Sequence, residues 1–256
     1  MTLRQVVLVA NVLLAPVPNI VNAQAQVSQS ELARQLVRGN GNERSKAFGK
    51  ARAIGAQGIN PELRAALISG LEREGSLHAQ RRRGEIESLE NPELIAGLAH
   101  LVAEFRDPRS LPALAGALGT SPPALFALAD FGEPAAQPVL DVVTSTDDAS
   151  VVMDALTSLR LMAEGVGARP LATKTLRDIR RVAEQRLTGK QSVTTLWKAI
   201  DLAVVLKDPD LRRTVESLAS DANAVVARGI SDPELIRQTQ MLAADRLAGV
   251  PPLPRR

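Results

Sequence analysis

The sequence DPRSLPALAGALG, residues 107–119, contains both of the signals that decide the fold class of this chain. Asp107 followed by Pro108 suits a helix start, because the carboxylate accepts hydrogen bonds from the free amides of the first turn and proline fits the first helical position. The apolar residues that follow recur at the helical period and share one face: Leu111, Leu114, Ala115 and Leu118. The segment therefore predicts a capped amphipathic helix.

The same start signal occurs at five places along the chain. Each consists of Asn or Asp, then proline, then a charged residue and a leucine, and the five begin at Asn60, Asn91, Asp107, Asp208 and Asp232. An acidic residue follows the proline at four of the five, where it meets the positive end of the helix dipole. The repetition predicts many short helices that begin in the same manner.

Apolar stripes with the helical period continue along most of the sequence, whereas the alternating patterns typical of strands are nearly absent. We therefore predict an all-α fold of about ten or eleven helices, each about 10–16 residues long, joined by short turns. Besides the stripe after Asp107, the predicted buried positions are Leu63, Ala66, Leu67, Gly70, Leu71, Leu94, Leu98, Leu101, Phe105, Ala136, Val139, Leu140, Val143, Val152, Ala155, Leu156, Leu159, Ala163, Leu176, Ile179, Ala183, Leu187, Val193, Leu196, Trp197 and Ile200.

Parts of the sequence resemble the HEAT-like repeat family. Residues 111–119 resemble the first helix of such a repeat, and residues 127–135, ALADFGEPA, resemble its second helix running into the next repeat. Residues 51–63 are a weaker copy. The resemblance covers about residues 44–165 and is thin from 166 to 248. It implies an α-solenoid of stacked antiparallel helix pairs that presents an extended surface to a partner, usually another protein.

The first 25 residues have the order of parts of a secretory signal peptide. Arg4 supplies a positive charge, residues 6–14 (VVLVANVLL) form an apolar core too short to span a bilayer, and Ala23 and Ala25 give the small-x-small cleavage pattern. The alternative is a short N-terminal helix. We predict a signal peptide (1–25), a HEAT-like helical domain (26–248) and a Pro/Arg tail (249–256). The mature protein would then be exported to the periplasm or the extracellular space, without a membrane span.

Composition and spacing give no support for an enzyme, a metal site or a cofactor. Cysteine is absent, which excludes disulfides and thiolate sites. His78 and His100 are too far apart for the paired-histidine spacing of zinc enzymes. Asp147 and Asp148 precede a predicted helix, so capping explains them. The sequence predicts no cofactor and no metal.

Two enzyme classes use HEAT-like scaffolds and serve as alternatives. DNA glycosylases of this type place a Trp and an Asp in a basic groove, and Trp197 and Asp201 are four residues apart, on one side of a helix. Only 2% of the residues are aromatic and the chain carries an export signal, so a Trp packed in the core is the preferred interpretation. Bilin lyases are the second class, and no feature of the sequence favours bilin chemistry.

Uneven charge is the one functional signal in the sequence. Between Arg109 and Arg160 there are six acidic residues and no Lys or Arg, whereas residues 169–190 hold seven basic residues against two acidic ones. The formal net charge of the whole chain is only +3, which makes nucleic acid an improbable partner.

From this pattern we predict a non-enzymatic scaffold whose basic residues contact an acidic surface of a protein partner. Arginine suits this role because its guanidinium can form two hydrogen bonds with one carboxylate. The acidic block of a second copy of the chain could supply that surface. Two alternatives remain: an ordinary solvated helix face, and a binder of polyanions. The predicted partner-binding residues are Lys174, Arg177, Arg180 and Arg181.

Overall fold

The computed structural model describes residues 19–167 and 169–249, with side chains from residue 28 onward. Most of the predicted signal peptide and nearly all of the predicted tail therefore lie outside the described residues. Throughout the part of the chain that is described, the regular structure is helical and no strand occurs, so the prediction of an all-α fold is confirmed. None of the described helices combines the length and the apolarity needed to cross a bilayer.

The described residues form thirteen α-helices, more than the ten or eleven predicted, and they vary from 5 to 22 residues. Short 3₁₀ turns at Ala56–Gly58 and Pro108–Ser110 precede α3 and α5. The helices are α1 (Asn19–Arg38), α2 (Gly41–Ile54), α3 (Pro61–Arg82), α4 (Leu94–Glu104), α5 (Leu111–Gly116), α6 (Pro122–Phe131), α7 (Glu133–Ser145), α8 (Ala149–Ala163), α9 (Thr173–Thr188), α10 (Val193–Leu206), α11 (Pro209–Ser220), α12 (Ala222–Val226) and α13 (Pro233–Ala248).

Four of the five predicted start signals form N-caps. The side chains of Asn60, Asp208 and Asp232 accept backbone hydrogen bonds at the starts of α3, α11 and α13. Asp107 does the same for the 3₁₀ turn that leads into α5, accepting from the Arg109 N–H at 3.0 Å. Each of these four residues is followed by proline at the first helical positions, as the sequence predicts.

The prediction for Asn91 is wrong. Residues 91–93 form a turn, and α4 begins only at Leu94, whose N–H donates to the Asn91 carbonyl at 3.2 Å. The imidazole of His78 on α3 hydrogen-bonds the Pro92 carbonyl. This contact joins the turn at residues 91–93 to α3, and no side chain caps α4.

Most of the predicted stripes are buried in one continuous apolar core. Phe105, Ala163, Val193 and Trp197 are partly buried at its edge. The prediction that Leu176 is buried is wrong, because 37% of this residue is exposed. It lies in the first turn of α9, where it lines a surface groove beside the end of α10 instead of reaching the core.

The helices pack in two series, in which most helices contact the next but one in the chain. In one series α1, α3, α5, α7, α9 and α11 contact one another in order, and in the other α2, α4, α6, α8, α10 and α13 do so. Consecutive helices join the two series, for example α3 with α4 and α7 with α8. Among the described helices, the main packing contacts therefore join near neighbours in the sequence.

Buried or half-buried arginines connect successive members of these series. Arg73 of α3 donates to the Val37 carbonyl of α1 at 2.8 Å, 36 residues earlier. Arg186 of α9 donates to the Val143 carbonyl of α7 at 2.6 Å, a separation of 43 residues. These cations satisfy carbonyls at or near the carboxyl end of the preceding helix, where no intrahelical partner is available.

Candidate functional site

The predicted basic residues lie on α9, whose first turn is fixed by Glu133 of α7. One carboxylate oxygen of Glu133 accepts the Ala172 N–H at 2.9 Å, and the other accepts the Thr175 hydroxyl at 2.7 Å. Glu133 thereby caps α9 in place of a local side chain, since none caps it. This capping fixes the start of α9 against α7.

Lys174 and Arg181 lie on either side of Asp178. The Lys174 Nζ is 2.8 Å from one Asp178 oxygen, and an Arg181 guanidinium nitrogen is 3.4 Å from the other. The two cationic side chains are 77% and 79% exposed. The hydrogen bond from Lys174, with the nearby charges of Arg181 and Arg177, lowers the pKa of Asp178, so this carboxylate stays ionised among the three cations.

Arg180 joins α9 to the start of α11. Its Nε is 2.6 Å from Asp208, the N-cap of α11, and its other nitrogens are 3.0 Å from Asp210 and 3.3 Å from Glu184. The hydrogen bond to Asp208 raises the pKa of Arg180. Arg180 therefore already contacts three carboxylates of its own chain.

The structure brings three of the four predicted residues together, and we call Lys174, Arg177 and Arg181 the α9 cation face. Arg177 is exposed and, among the described residues, has no carboxylate within ion-pair distance. Lys174 and Arg181 also line a groove of about 320 Å³ between α7 and α9, together with Asp141 and Asp178. This groove thus presents two cations and two carboxylates.

Several of the six acidic residues between Arg109 and Arg160 have hydrogen-bond or ion-pair partners inside the fold. Asp148 caps α8 and pairs with Arg82 of α3 at 2.7 Å. Asp154 accepts the Gly119 N–H at 2.8 Å. The assignment of Asp148 to capping is confirmed.

Basic residues of the segment 169–190 also have partners inside the fold. Arg186 is only 7% exposed and donates to the Val143 and Thr146 carbonyls at the end of α7. Its other contacts are with the Asp147 carboxylate and the Gln191 side chain, both at 3.3 Å. These partners lie up to 43 residues away in the sequence, so the composition of the block could not reveal them.

An apolar groove around Phe126 was not predicted from the sequence. Phe126 of α6 is 60% exposed and Val166, after α8, is 50% exposed. They line a groove of about 1100 Å³ formed by α4, α6 and α8. The signal was present, because Phe126 falls between the buried positions Leu125 and Leu128 and so lies off the apolar stripe of α6.

The residues considered for glycosylase chemistry connect α10 to α13. The Trp197 indole N–H donates to the Thr239 hydroxyl at 2.9 Å, and Asp201 is 2.6 Å from Arg246. Asp201 is also 3.7 Å from Lys198. Both side chains thus have partners within the fold. In the described part of the chain, no three His, Cys, Asp or Glu residues are grouped so that they could hold a metal ion.

Comparison of the chain with protein-family models, with curated proteins and with solved structures gave no match.

Proposed function

We propose that this chain is an exported, non-enzymatic HEAT-like repeat protein that binds a protein partner through the α9 cation face. The repeat assignment is supported by the two series, in which helices pack against the next but one and are joined by contacts between consecutive helices. It is also supported by the arginines that cap the preceding helix of the same series at separations of 36 and 43 residues. Such regular near-neighbour contacts are those expected of an α-solenoid.

The observation that carries the binding proposal is the arrangement of the α9 cation face around Asp178. Lys174 and Arg181 are largely exposed, yet their contacts with Asp178 hold both side chains along the helix. Ordering a long side chain costs about 0.5–1.5 kcal/mol on association, and a side chain that is already ordered avoids part of that cost. The α9 cation face is therefore suited to meet carboxylates of a protein partner.

The carboxylates beside these cations favour a protein partner over a polyanion. Asp141 and Asp178 line the same groove as Lys174 and Arg181. A run of phosphates would be repelled by both carboxylates, whereas a protein surface can place a cation or a hydrogen-bond donor opposite each. We therefore prefer the protein-binding function to the polyanion alternative.

Export is compatible with the packing of α1. Cleavage after Ala25 would remove the first residues of α1 and retain its buried residues Leu32, Ala33 and Leu36. The core contacts of α1 with α2 and α3 would then persist in the mature protein. N-terminal sequencing of the native protein tests this: we expect it to start at Gln26, and Met1 retained on a cytoplasmic protein would refute export.

The binding proposal is tested with the double variant Arg177→Glu, Arg181→Glu. A matched control is Lys50→Glu, Arg52→Glu, which makes the same change of charge on exposed residues of α2. A partner is first identified by crosslinking in an envelope extract of the source organism and is then purified. Its association rate with each protein is measured at about 50 and 300 mM salt.

We expect the α9 variant to associate roughly tenfold or more slowly at low salt, since exposed charges act mainly through electrostatic steering, and the control variant to associate like the wild type. Thermal unfolding should be nearly unchanged in both variants. Equal rates for the wild type and the α9 variant would show that the α9 cation face is only a solvated surface.

A further inference from the structure

The sequence contains three Arg–Gly bonds, at residues 38–39, 83–84 and 228–229, and the structure places them in different surroundings. An endoprotease that cleaves after arginine binds the guanidinium in an acidic pocket and holds the neighbouring backbone in an extended conformation. It therefore needs a free arginine side chain, open space around the bond and several residues that can be pulled out of the fold. Because the three bonds have the same chemistry, only their surroundings distinguish them.

The Arg83–Gly84 bond has a free side chain and open space. Arg83 directly follows α3 and pairs with Glu85 at 2.5 Å. The two side chains are 58% and 50% exposed, and a pair this exposed contributes little, so the guanidinium can leave Glu85 for the pocket of a protease. Gly84 has a φ of +73°, and a Cβ atom placed there would have no neighbour within 4 Å.

The residues after Gly84 can be extended without breaking a helix. Residues 83–93 separate α3 from α4 and contain no helical segment. In the described structure, the backbone of residues 86–90 makes no hydrogen bond with another backbone group. The last turn of α3 can open together with this segment, because helix ends fray at low cost in free energy. A protease can thus bind the chain on both sides of the bond.

The other two Arg–Gly bonds are held more firmly. The first lies in the two-residue connection between α1 and α2, where the Gly39 carbonyl accepts a hydrogen bond from Arg44 at 2.9 Å. At the third, the Arg228 Nε–H donates to the Leu187 carbonyl at 2.8 Å. The Arg228 carbonyl also accepts the Gln191 N–H at 2.9 Å. Both bonds must lose contacts with other parts of the fold before a protease can bind them.

Basic residues in other connections are followed by less suitable residues. Arg169 precedes Pro170, and proline at this position blocks arginine-specific proteases because its ring fixes φ and its nitrogen carries no hydrogen. Arg106 and Lys207 each precede an aspartate that caps the next helical segment, so cleavage there would require the cap to open. These bonds are therefore poorer substrates than Arg83–Gly84.

We propose that the Arg83–Gly84 bond is a processing site, at which a trypsin-like endoprotease divides the chain into two pieces that stay packed together. The serine of the protease attacks the Arg83 carbonyl, the C–N bond breaks and Gly84 leaves as a protonated amine. Water then hydrolyses the acyl-enzyme ester and releases Arg83 as a carboxylate. This inference goes beyond the proposed function, because it involves no residue of the α9 cation face and no binding partner.

The contacts across the cut explain why the two pieces would stay together. In the N-terminal piece α3 packs against α4 and α5 of the C-terminal piece. Two ion pairs also join the pieces, Arg44 with Glu90 at 3.3 Å and Arg82 with Asp148 at 2.7 Å. The cut would therefore free only residues 84–89, as an N-terminal arm that is anchored at Glu90.

The test is limited digestion of the purified full-length protein with trypsin, followed by mass spectrometry and N-terminal sequencing of the products. Among cuts within α1 to α13, we expect the first to create an N-terminus at Gly84. It should form roughly tenfold or more faster than the ends at Gly39 and Gly229, since opening near Gly84 breaks the fewest contacts. A first cut elsewhere within these helices and their connections, or equal rates at the three Arg–Gly bonds, overturns the proposal.

A pair of matched variants assigns the cleavage to Arg83. Arg83→Gln removes the charge that the protease pocket requires, and Arg38→Gln makes the same change at the Arg–Gly bond after α1. The first cleavage should be roughly tenfold or more slower in Arg83→Gln and unchanged in Arg38→Gln. If Arg83→Gln is cut as fast as the wild type, whether after Arg81, after Arg82 or at another bond, the assignment is wrong.

The packed state of the two pieces is tested on the digested protein. Size-exclusion chromatography should elute both pieces together at the volume of the intact protein, with an unchanged far-UV circular dichroism spectrum. Separate elution of the two pieces would refute this part of the proposal. The Arg177→Glu, Arg181→Glu variant should be cut at the same bond and at the same rate, so failure of the binding proposal would leave the digestion result unaltered.

Discussion

Replacement of Arg186 by methionine tests whether arginine capping between successive helices stabilises the fold. Arg186 is nearly buried, and its guanidinium donates to the Val143 carbonyl at 2.6 Å and the Thr146 carbonyl at 3.1 Å. Methionine has a similar apolar stem and fills most of the same space. The change therefore removes the hydrogen bonds and the charge while it leaves little cavity.

The expected loss of stability follows from the two carbonyls. A buried acceptor left without a partner costs about 1–3 kcal/mol, and a cation lost from a helix carboxyl end costs about 0.3–1 kcal/mol. Relief of the desolvation of the buried guanidinium offsets part of this cost. The net decrease in the free energy of unfolding should be about 2–4 kcal/mol, which for a chain of this size lowers Tm by about 4–16 °C.

The assay is thermal and urea unfolding followed by far-UV circular dichroism, with Arg177→Met as the matched control on the same helix. Arg177 is exposed, so its replacement should change the free energy of unfolding by no more than about 0.5 kcal/mol. If Arg186→Met stays within about 0.5 kcal/mol of the wild type, or equals the control, the capping contacts contribute nothing and the reasoning fails.

Two further predictions concern stability. Leu114→Ala and Leu156→Ala should each lower the free energy of unfolding by about 2–5 kcal/mol, because both leucines are 0% exposed. Urea unfolding measures this loss, and losses below about 0.5 kcal/mol for both variants would contradict the core assignment. Burial, and after it the nearby charge of Arg82, lowers the pKa of His78 below its ordinary value of 6.5. The neutral imidazole therefore contributes fully to stability above pH 6.5, and this contribution is lost as the pH falls through the lowered pKa. The urea midpoint should therefore decline on acidification below about pH 6.5, and His78→Phe should reduce the decline; an unchanged slope would refute the assignment to His78.

The fold class was predictable because its signals are local. Asn60 and Leu63 lie within one helical turn, so the sequence alone shows both the cap and the amide that it accepts. Asn91 has the same local sequence but forms a turn, and His78 on α3 contacts this turn at Pro92. The sequence could not show this contact, because it depends on the packing of α3 beside residues 91–93.

The candidate site was only partly predictable, because its charges are paired between helices. Arg180 contacts Asp208, 28 residues later, and Asp148 contacts Arg82, on α3. The sequence of a single helix does not show these two contacts, because the members of each pair lie in different helices or at the start of another helix. Phe126 presents the opposite case, since its exposure could be read from its position off the apolar stripe of α6.

These contacts change how charge blocks are interpreted in a chain of packed helices. A charged side chain can find its partner on a neighbouring helix of the same series, 28 residues away for Arg180 and 43 residues away for Arg186. Of the seven basic residues in 169–190, Arg180 and Arg186 are used in this manner. Arg169, Lys174, Arg177, Arg181 and Lys190 stay exposed, and of these Lys174, Arg177 and Arg181 share one face of α9 and are our candidates for contact with another molecule. Net charge over a sequence window therefore overstates the surface charge that is available to a partner. We expect the rate of association to correlate instead with the number of cations that remain exposed in the folded chain.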